Sequence, residues 1–273
     1  MSKSAHIWPF IKMHGLGNDF VVVDARRMDF TVVPERASRI AGRRRGIGCD
    51  QLIILRPSAR ADVFMEIWNA DGSRVAACGN ATRCVGMLIL DETSQTTASI
   101  ETDAGLLSAQ KSPHGISVNM GPARTGWDEI PLAREMDTIS GDLTAEGLSA
   151  PGFVNMGNPH AVFFVDDADA VDLAAVGPLI EHHSLFPERV NASFAAVNDS
   201  SIRLRVWERG AGITEACGTA ACAAVVAASR KGLTGRHAAV QLDGGILHVE
   251  WLQDDTVEMA GPATLVYKGE CSL

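Results

Sequence analysis

Apolar positions fall in short β-branched runs separated by turn residues, so Val21-Val22-Val23, Leu52 to Leu55, Val162 to Val165 and Ile202 to Val206 each predict a strand. Two longer apolar segments break that rhythm. They run from about Gly79 to Leu90 and from about Gly218 to Lys231, and each predicts a helix directly after a cysteine. The second is rich in alanine and finishes Arg230-Lys231-Gly232, with cations at the negative helix end and a glycine stop.

The same order of features occurs twice, offset by 139 to 140 residues. Gly17-Asn18 recurs as Gly157-Asn158, Trp68 as Trp207, and Ala77-Cys78-Gly79 as Ala216-Cys217-Gly218. Asp103-x-Gly105 recurs as Asp243-x-Gly245, and Gly121-Pro122-Ala123 as Gly261-Pro262-Ala263. Five ordered blocks at one offset mark an internal duplication. The tryptophan and Gly-Pro-Ala matches read as packing and turn residues. The segment from Gly126 to Pro151 joins the copies, and residues 264–273 extend past the second and return to the first. This predicts two α/β domains, residues 1–125 with 264–273 and residues 126–263. If the halves pack face to face, equivalent residues lie about a pseudo-twofold axis, on opposite sides of one point.

The chain of 273 residues carries a net charge of −9, and its basic residues are scattered apart from Arg43-Arg44-Arg45, which reads as a solvated loop. No nucleic-acid partner is expected. The longest apolar stretch, Ala220 to Ala228, is far short of the roughly 20 residues of a membrane span, and no basic segment followed by an apolar one opens the chain. The expectation is a soluble, cytoplasmic protein without a membrane partner. Six cysteines without a Cys-x-x-Cys spacing predict reduced thiols and no metal site.

Cys49, Cys84, Cys222 and Cys271 read as small hydrophobes. Cys78 and Cys217 differ, because each precedes a helix, where the helix field and free N–H groups lower a thiol pKa. Two thiols facing each other across a small ligand suit inversion of a carbon stereocentre: one thiolate removes a proton from one face while the opposite thiol delivers another. The carbanion between these steps needs its carboxylate held, and the N–H groups of Gly79-Asn80 and Gly218-Thr219 are available at two helix starts. No pyridoxal site is evident, so the pocket's electrostatics must do a cofactor's work.

Other polar residues have plainer readings. Asn18 and Asn158 follow glycines and suit turn caps. His160 after Pro159 suits a turn or core position, and Glu208-Arg209 a solvated pair at a strand end. Gly15-x-Gly17 lacks the third glycine and the following helix of a dinucleotide loop.

Together, the segments Gly15-Leu16-Gly17-Asn18-Asp19-Phe20, Gly46-Ile47-Gly48-Cys49-Asp50-Gln51, Trp68-Asn69-Ala70-Asp71-Gly72-Ser73, Ala77-Cys78-Gly79-Asn80, Met156-Gly157-Asn158-Pro159-His160-Ala161-Val162, Asn191 to Phe194, Glu208-Arg209-Gly210-Ala211-Gly212 and Ala216-Cys217-Gly218-Thr219 resemble the diaminopimelate epimerase family, in family order over nearly the whole chain. The resemblance implies a cofactor-independent isomerase interconverting LL- and meso-diaminopimelate for lysine and cell-wall synthesis. It also implies a homodimer, and two pseudosymmetric domains, each a β-barrel-like, mostly antiparallel sheet around a central helix, with the active site in the cleft between them. Catalysis then falls to Cys78 and Cys217, with His160 and Glu208 assisting proton transfer, and Gly79, Asn80, Gly218 and Thr219 match the carboxylate-binding loops. Asn18, Gln51, Asn69, Asn158, Asn191 and Arg209 match further substrate contacts. Ala81 and Ala220 stand where the family commonly has glycine, inside helical first turns where Ala costs less than Gly.

Arg209 has no counterpart in the first copy, which has Ala70 there. It is expected to grip the carboxylate at the far end of the substrate, with Asn69, Asn158 and Asn191 completing its hydrogen bonds and Glu208 near the distal amine. A proline racemase or hydroxyproline epimerase shares the mechanism with a smaller cyclic substrate that needs no such grip. A redox-switched binding protein, with Cys78 and Cys217 forming a reversible disulfide, would bind its ligand without hydrogen exchange at carbon.

Overall fold

The computed structural model describes residues 7–272; the outer ends of the expected first domain, residues 1–6 and 273, lie outside them. In chain order the elements are β1 (Trp8–Gly15), β2 (Asn18–Asp24), α1 (Pro34–Ala41), β3 (Gln51–Arg56), β4 (Val63–Asn69), β5 (Arg74–Val75), α2 (Gly79–Thr93), β6 (Thr97–Thr102), β7 (Gly105–Ser112) and β8 (Gly115–Pro122). There follow β9 (Thr144–Ala145), β10 (Leu148–Ser149), β11 (Gly152–Asn155), β12 (Pro159–Phe164), α3 (Leu173–Glu181), β13 (Asn191–Asn198), β14 (Ser201–Glu208), β15 (Gly212–Ile213), α4 (Gly218–Arg230), β16 (His237–Leu242), β17 (Gly245–Trp251), β18 (Thr256–Gly261) and β19 (Thr264–Cys271). The fold is mixed α/β, mostly sheet. It divides into one compact unit of residues up to Val118 with those from Gly261 onward, and another of Asn119–Ala260.

The duplication holds at the level of strand register. In the first unit β2 runs parallel to β3 with Phe20 opposite Gln51, β3 antiparallel to β4 with Leu52 opposite Trp68, and β4 parallel to β6 with Val63 opposite Ile100. In the second, β12 and β13 are parallel with His160 opposite Asn191, β13 and β14 antiparallel with Ala192 opposite Trp207, and β14 and β16 parallel with Ile202 opposite Val240. Hairpins finish both series, Thr102 opposite Gly105 and Leu242 opposite Gly245. Each of these pairs maps onto its counterpart at the sequence offset. The tail strand β19 pairs antiparallel with β1, within the first unit.

The two predicted helices are α2 and α4, the first running to Thr93 and the second ending at Arg230. α4 is buried on nearly every side, since its alanines let β11, β12, β13, β14, β16 and β17 pack around it. α2 packs against β1, β6 and β7, and comes so close to β7 that a Cβ on Gly86 would sit 2.5 Å from Ala109 Cβ.

The expectation of one helix per copy needs correction, because α1 and α3 are additional. α1 buries only Ala37, Ile40 and Ala41 beneath a charged outer face, and α3 is capped by Asp172, whose side chain accepts from the Ala175 N–H. Such eight- and nine-residue helices hold through tertiary packing rather than through propensity. Each unit has its own core, built around Phe10, Phe30, Leu52 and Ile54 in the first and Phe153, Phe163, Ile180 and Phe194 in the second. The joining segment contributes Ile130, Leu132 and Leu143 to the second core.

Candidate active site

In the first unit the predicted residues gather where β2 and β3 begin and β4 ends. Gly17, with φ +87°, makes the turn that delivers Asn18 to the start of β2. Asn18 Oδ1 accepts from Asn80 Nδ2 at 3.2 Å and lies 3.9 Å from Cys78 Sγ, so one amide joins the thiol to the helix start. Its Nδ2 donates to Asp50 Oδ2 at 3.1 Å. Gln51 and Asn69, opposite each other across β3 and β4, form a second group: Gln51 Nε2 donates to Asn69 Oδ1 at 3.0 Å, and Asn69 Nδ2 to Ser73 Oγ at 3.0 Å. Gln51 Oε1 is buried without a hydrogen-bond partner.

In the second unit His160 is fully buried, and its Nε2 is 2.9 Å from Asn158 Oδ1. Burial, with a smaller push from the Arg209 charge, lowers its pKa to about 3, so the ring is neutral. Because Asn158 Oδ1 can only accept, Nε2 carries the proton, leaving Nδ1 buried without a hydrogen-bond partner. Asn191 has both ends of its amide engaged: Nδ2 donates to the Pro159 carbonyl at 2.8 Å, and Oδ1 accepts from the Arg209 N–H at 3.0 Å. Arg209 Nη1 donates to the Glu188 carbonyl at 2.9 Å, and the Glu208 carboxylate accepts from the Thr214 hydroxyl.

Cys78 and Cys217 each hold the residue position immediately before the first helical residue, Gly79 of α2 and Gly218 of α4, with extended backbone. Their burial differs: Cys78 is half-buried, whereas Cys217 is 5% exposed. The expected lowering of the thiol pKa is reversed at Cys217. Burial pushes that thiol well above 9.0 and the Glu208 carboxylate adds to the rise, outweighing the Thr219 hydroxyl and the Ala220 N–H. Cys217 Sγ lies 3.5 Å from Thr219 Oγ1. Cys49, Cys84 and Cys222 are buried, and burial raises the first two to about 11 and about 12. Among the described residues no three His, Cys, Asp or Glu side chains are grouped to hold a metal ion.

The profile of the diaminopimelate epimerase family matches residues 10–126 and 152–266. A curated diaminopimelate epimerase from Rhodospirillum centenum is 53% identical over 267 residues, covering 96% of this chain and 92% of that protein. One from Phenylobacterium zucineum is 54% identical over 268 residues, covering 96% of this chain and 97% of that protein. This chain belongs to the diaminopimelate epimerase family. The fold is shared more widely. A PhzF-family phenazine biosynthesis protein from Enterococcus faecalis superposes with a TM-score of 0.71 at 14% identity, over 98% of this chain and 100% of that one. A hydroxyproline epimerase from Agrobacterium vitis does so with a TM-score of 0.65 at 14% identity, over 99% and 93%. At that identity these two speak for architecture alone, and the relatives above 50% carry the family.

Around the expected residues stand partners that motif reading passed over. Arg43 lies in the expected exposed loop but is paired there: its guanidinium donates to Asp19 Oδ1 at 2.8 Å and Asp50 Oδ1 at 2.7 Å. Lys12 pairs with Asp19 Oδ2 at 2.5 Å and donates to the Gly48 carbonyl. The signal lay in the two segments Gly15 to Phe20 and Gly46 to Gln51, which contribute Asp19 and Asp50 beside the amides they support.

Proposed function

We propose that this isomerase interconverts LL- and meso-diaminopimelate by moving the α-proton between Cys78 and Cys217, without a cofactor. Family membership supplies the substrate class. The observation that carries the site assignment is the repeated position of the two thiols, each at the residue before a buried helix, whose N-terminus favours an anion. In this reading Gly79, Asn80, Gly218 and Thr219 hold the reacting carboxylate.

Cys217, kept as a thiol by burial and by Glu208, is the acid of the direction in which Cys78 is the base. That turn removes a proton onto Cys78 and delivers the Cys217 proton to the opposite face, leaving a Cys78 thiol and a Cys217 thiolate ready for the reverse direction. Glu208, beside Cys217, relays the proton that resets it. His160, neutral and bonded to Asn158, orients that amide and keeps its unprotonated Nδ1 to assist proton transfer. Arg209 grips the distal carboxylate, with Asn69, Asn158 and Asn191 shaping its surroundings, and the unpaired Gln51 Oε1 suits an N–H donor of the ligand.

No helix among the described residues is long and apolar enough to cross a membrane, in keeping with a cytoplasmic enzyme. The exposed Leu265, Val266 and Tyr267 on β19 suit a homodimer contact. The deciding experiment is incubation with LL-diaminopimelate in deuterated water, following stereochemistry and label together. Deuterium is expected to enter the reacting α-carbon as meso product forms, and Cys78→Ala and Cys217→Ala are each expected to abolish this in both directions. Full activity in either variant, or binding without exchange, would overturn the two-base reading.

A further inference from the structure

α3 ends at Glu181, a carboxylate only 3% exposed. Its Oε2 accepts from Trp207 Nε1 at 2.7 Å, and its Oε1 accepts from the Gly210 N–H at 2.9 Å. These two donors flank Glu208 and Arg209. Between them the Arg209 N–H is taken by Asn191 Oδ1, and the Glu208 carbonyl accepts from the Ala211 N–H at 3.1 Å, closing a turn in which Gly210 has φ +76°. The backbone from Trp207 to Ala211 is thus pinned by α3, by β13 and by its own turn.

The demand on Glu181 exceeds what packing asks for. A buried carboxylate is costly unless it is fully paired, and an indole N–H needs only one acceptor, which a neutral side chain can supply. Two carboxylate oxygens facing two N–H donors is an arrangement an amide cannot copy, because one end of an amide is itself a donor. Burial pushes the Glu181 pKa up, but the Trp207 and Gly210 bonds, with the nearby His182 and Arg189 charges, bring it below its ordinary value. Arg189 Nη1 lies 3.6 Å from Oε1.

We propose that Glu181 is a positioning residue for substrate binding: by gripping Trp207 and Gly210 it sets the turn from which Arg209 reaches the distal carboxylate of the diamino diacid. The proposal rests on the assignment of Arg209 as that clamp. The distal end does not change during the reaction, so losing its alignment weakens ground state and transition state alike and raises KM with kcat preserved.

The test is steady-state kinetics with LL-diaminopimelate for Glu181→Gln, Arg209→Ala and the double variant. Glu181→Gln is expected to raise KM about tenfold with kcat within about twofold, and the double variant to be no weaker than Arg209→Ala alone, because both act through one contact. A Glu181→Gln enzyme with unchanged KM, or a double variant whose losses multiply, would overturn the proposal and leave Glu181 a role in the fold only. A normal KM in Arg209→Ala would instead remove the clamp itself, and the proposal with it, whatever Glu181→Gln does. Should Glu181→Gln fail to fold, Glu181→Asp keeps the charge near Arg189 but is too short to reach both donors. It is read in the same way, with a smaller rise in KM expected and an unchanged KM overturning the proposal.

Discussion

Asn18 donates its amide N–H to Asp50 across 3.1 Å, and this bond decides which end of the amide faces the Cys78 thiol. With Nδ2 committed to Asp50, Oδ1 is the atom left for Asn80 and for Cys78 Sγ. Asp50 is in turn held by Arg43, which also binds Asp19, so a chain of charges stands behind one neutral side chain. Asp50→Ala is expected to lower kcat about tenfold, because a freed Asn18 amide rotates. The melting temperature should change little, since Asp50 and Arg43 are both largely exposed and such pairs contribute little stability. Parallel measurement of kcat and Tm checks this, and unchanged kcat would count against the orienting role.

Arg209→Ala is expected to lower kcat/KM for LL-diaminopimelate between about tenfold and a thousandfold, the range for losing a charge-assisted or buried partner. Lys at this position should rescue poorly, since it lacks the planar fork that meets a carboxylate with two bonds. Near-normal kcat/KM in the alanine variant would remove the distal clamp.

The raised Cys217 thiol has a direct chemical readout. Its alkylation by iodoacetamide, followed by peptide mapping that separates it from the more exposed Cys78 and Cys271, should climb about tenfold per pH unit up to at least pH 9. Glu208→Gln removes the neighbouring negative charge and should move that curve to lower pH. A plateau below pH 8 in the wild-type protein would contradict the assigned thiol state.

His160 makes a prediction about stability in mild acid. Its folded pKa is lowered from 6.5 to about 3, so between those values the unfolded chain binds more protons than the folded one, and stability falls as pH falls. The slope contributed is at most about 1.4 kcal/mol per pH unit. Asp19 acts in the same sense only at lower pH. Burial raises its pKa, but bonds to Arg43 and Lys12 hold it well below 3.8, so its stabilisation is lost once pH falls beneath that value. Denaturant titrations of the wild type and His160→Gln between pH 6.5 and 5 isolate the histidine, and the variant should show the flatter slope.

Much of this architecture was legible in the chain because duplication prints every essential feature twice. The offset that aligns Trp68 with Trp207 also aligns the strand registers, and the two cysteines announced themselves by preceding both helices. What escaped depended on the third dimension. α1 is too short and too charged to show a helical signature, and the pairing of exposed Arg43 with Asp19 and Asp50 joins separate segments of the chain. At Cys217 the sequence shows the helix start but not the burial beside Glu208 that raises the thiol. Asn191, expected as a substrate contact, also ties the Pro159 carbonyl to the Arg209 N–H, a link that only the fold shows. Glu181 carried no motif at all; only the fold shows that a residue far from Trp207 and Gly210 in sequence holds both.

The parallel registers have a historical consequence. Phe20 opposite Gln51 and His160 opposite Asn191 are one lattice site occupied in two ways. A scaffold present in duplicate can let one copy drift in polarity while the other keeps its apolar filling, and neither backbone has to move. Divergence of single side chains after duplication, such as Ala70 against Arg209, changes the chemistry at one position and leaves its twin as it was.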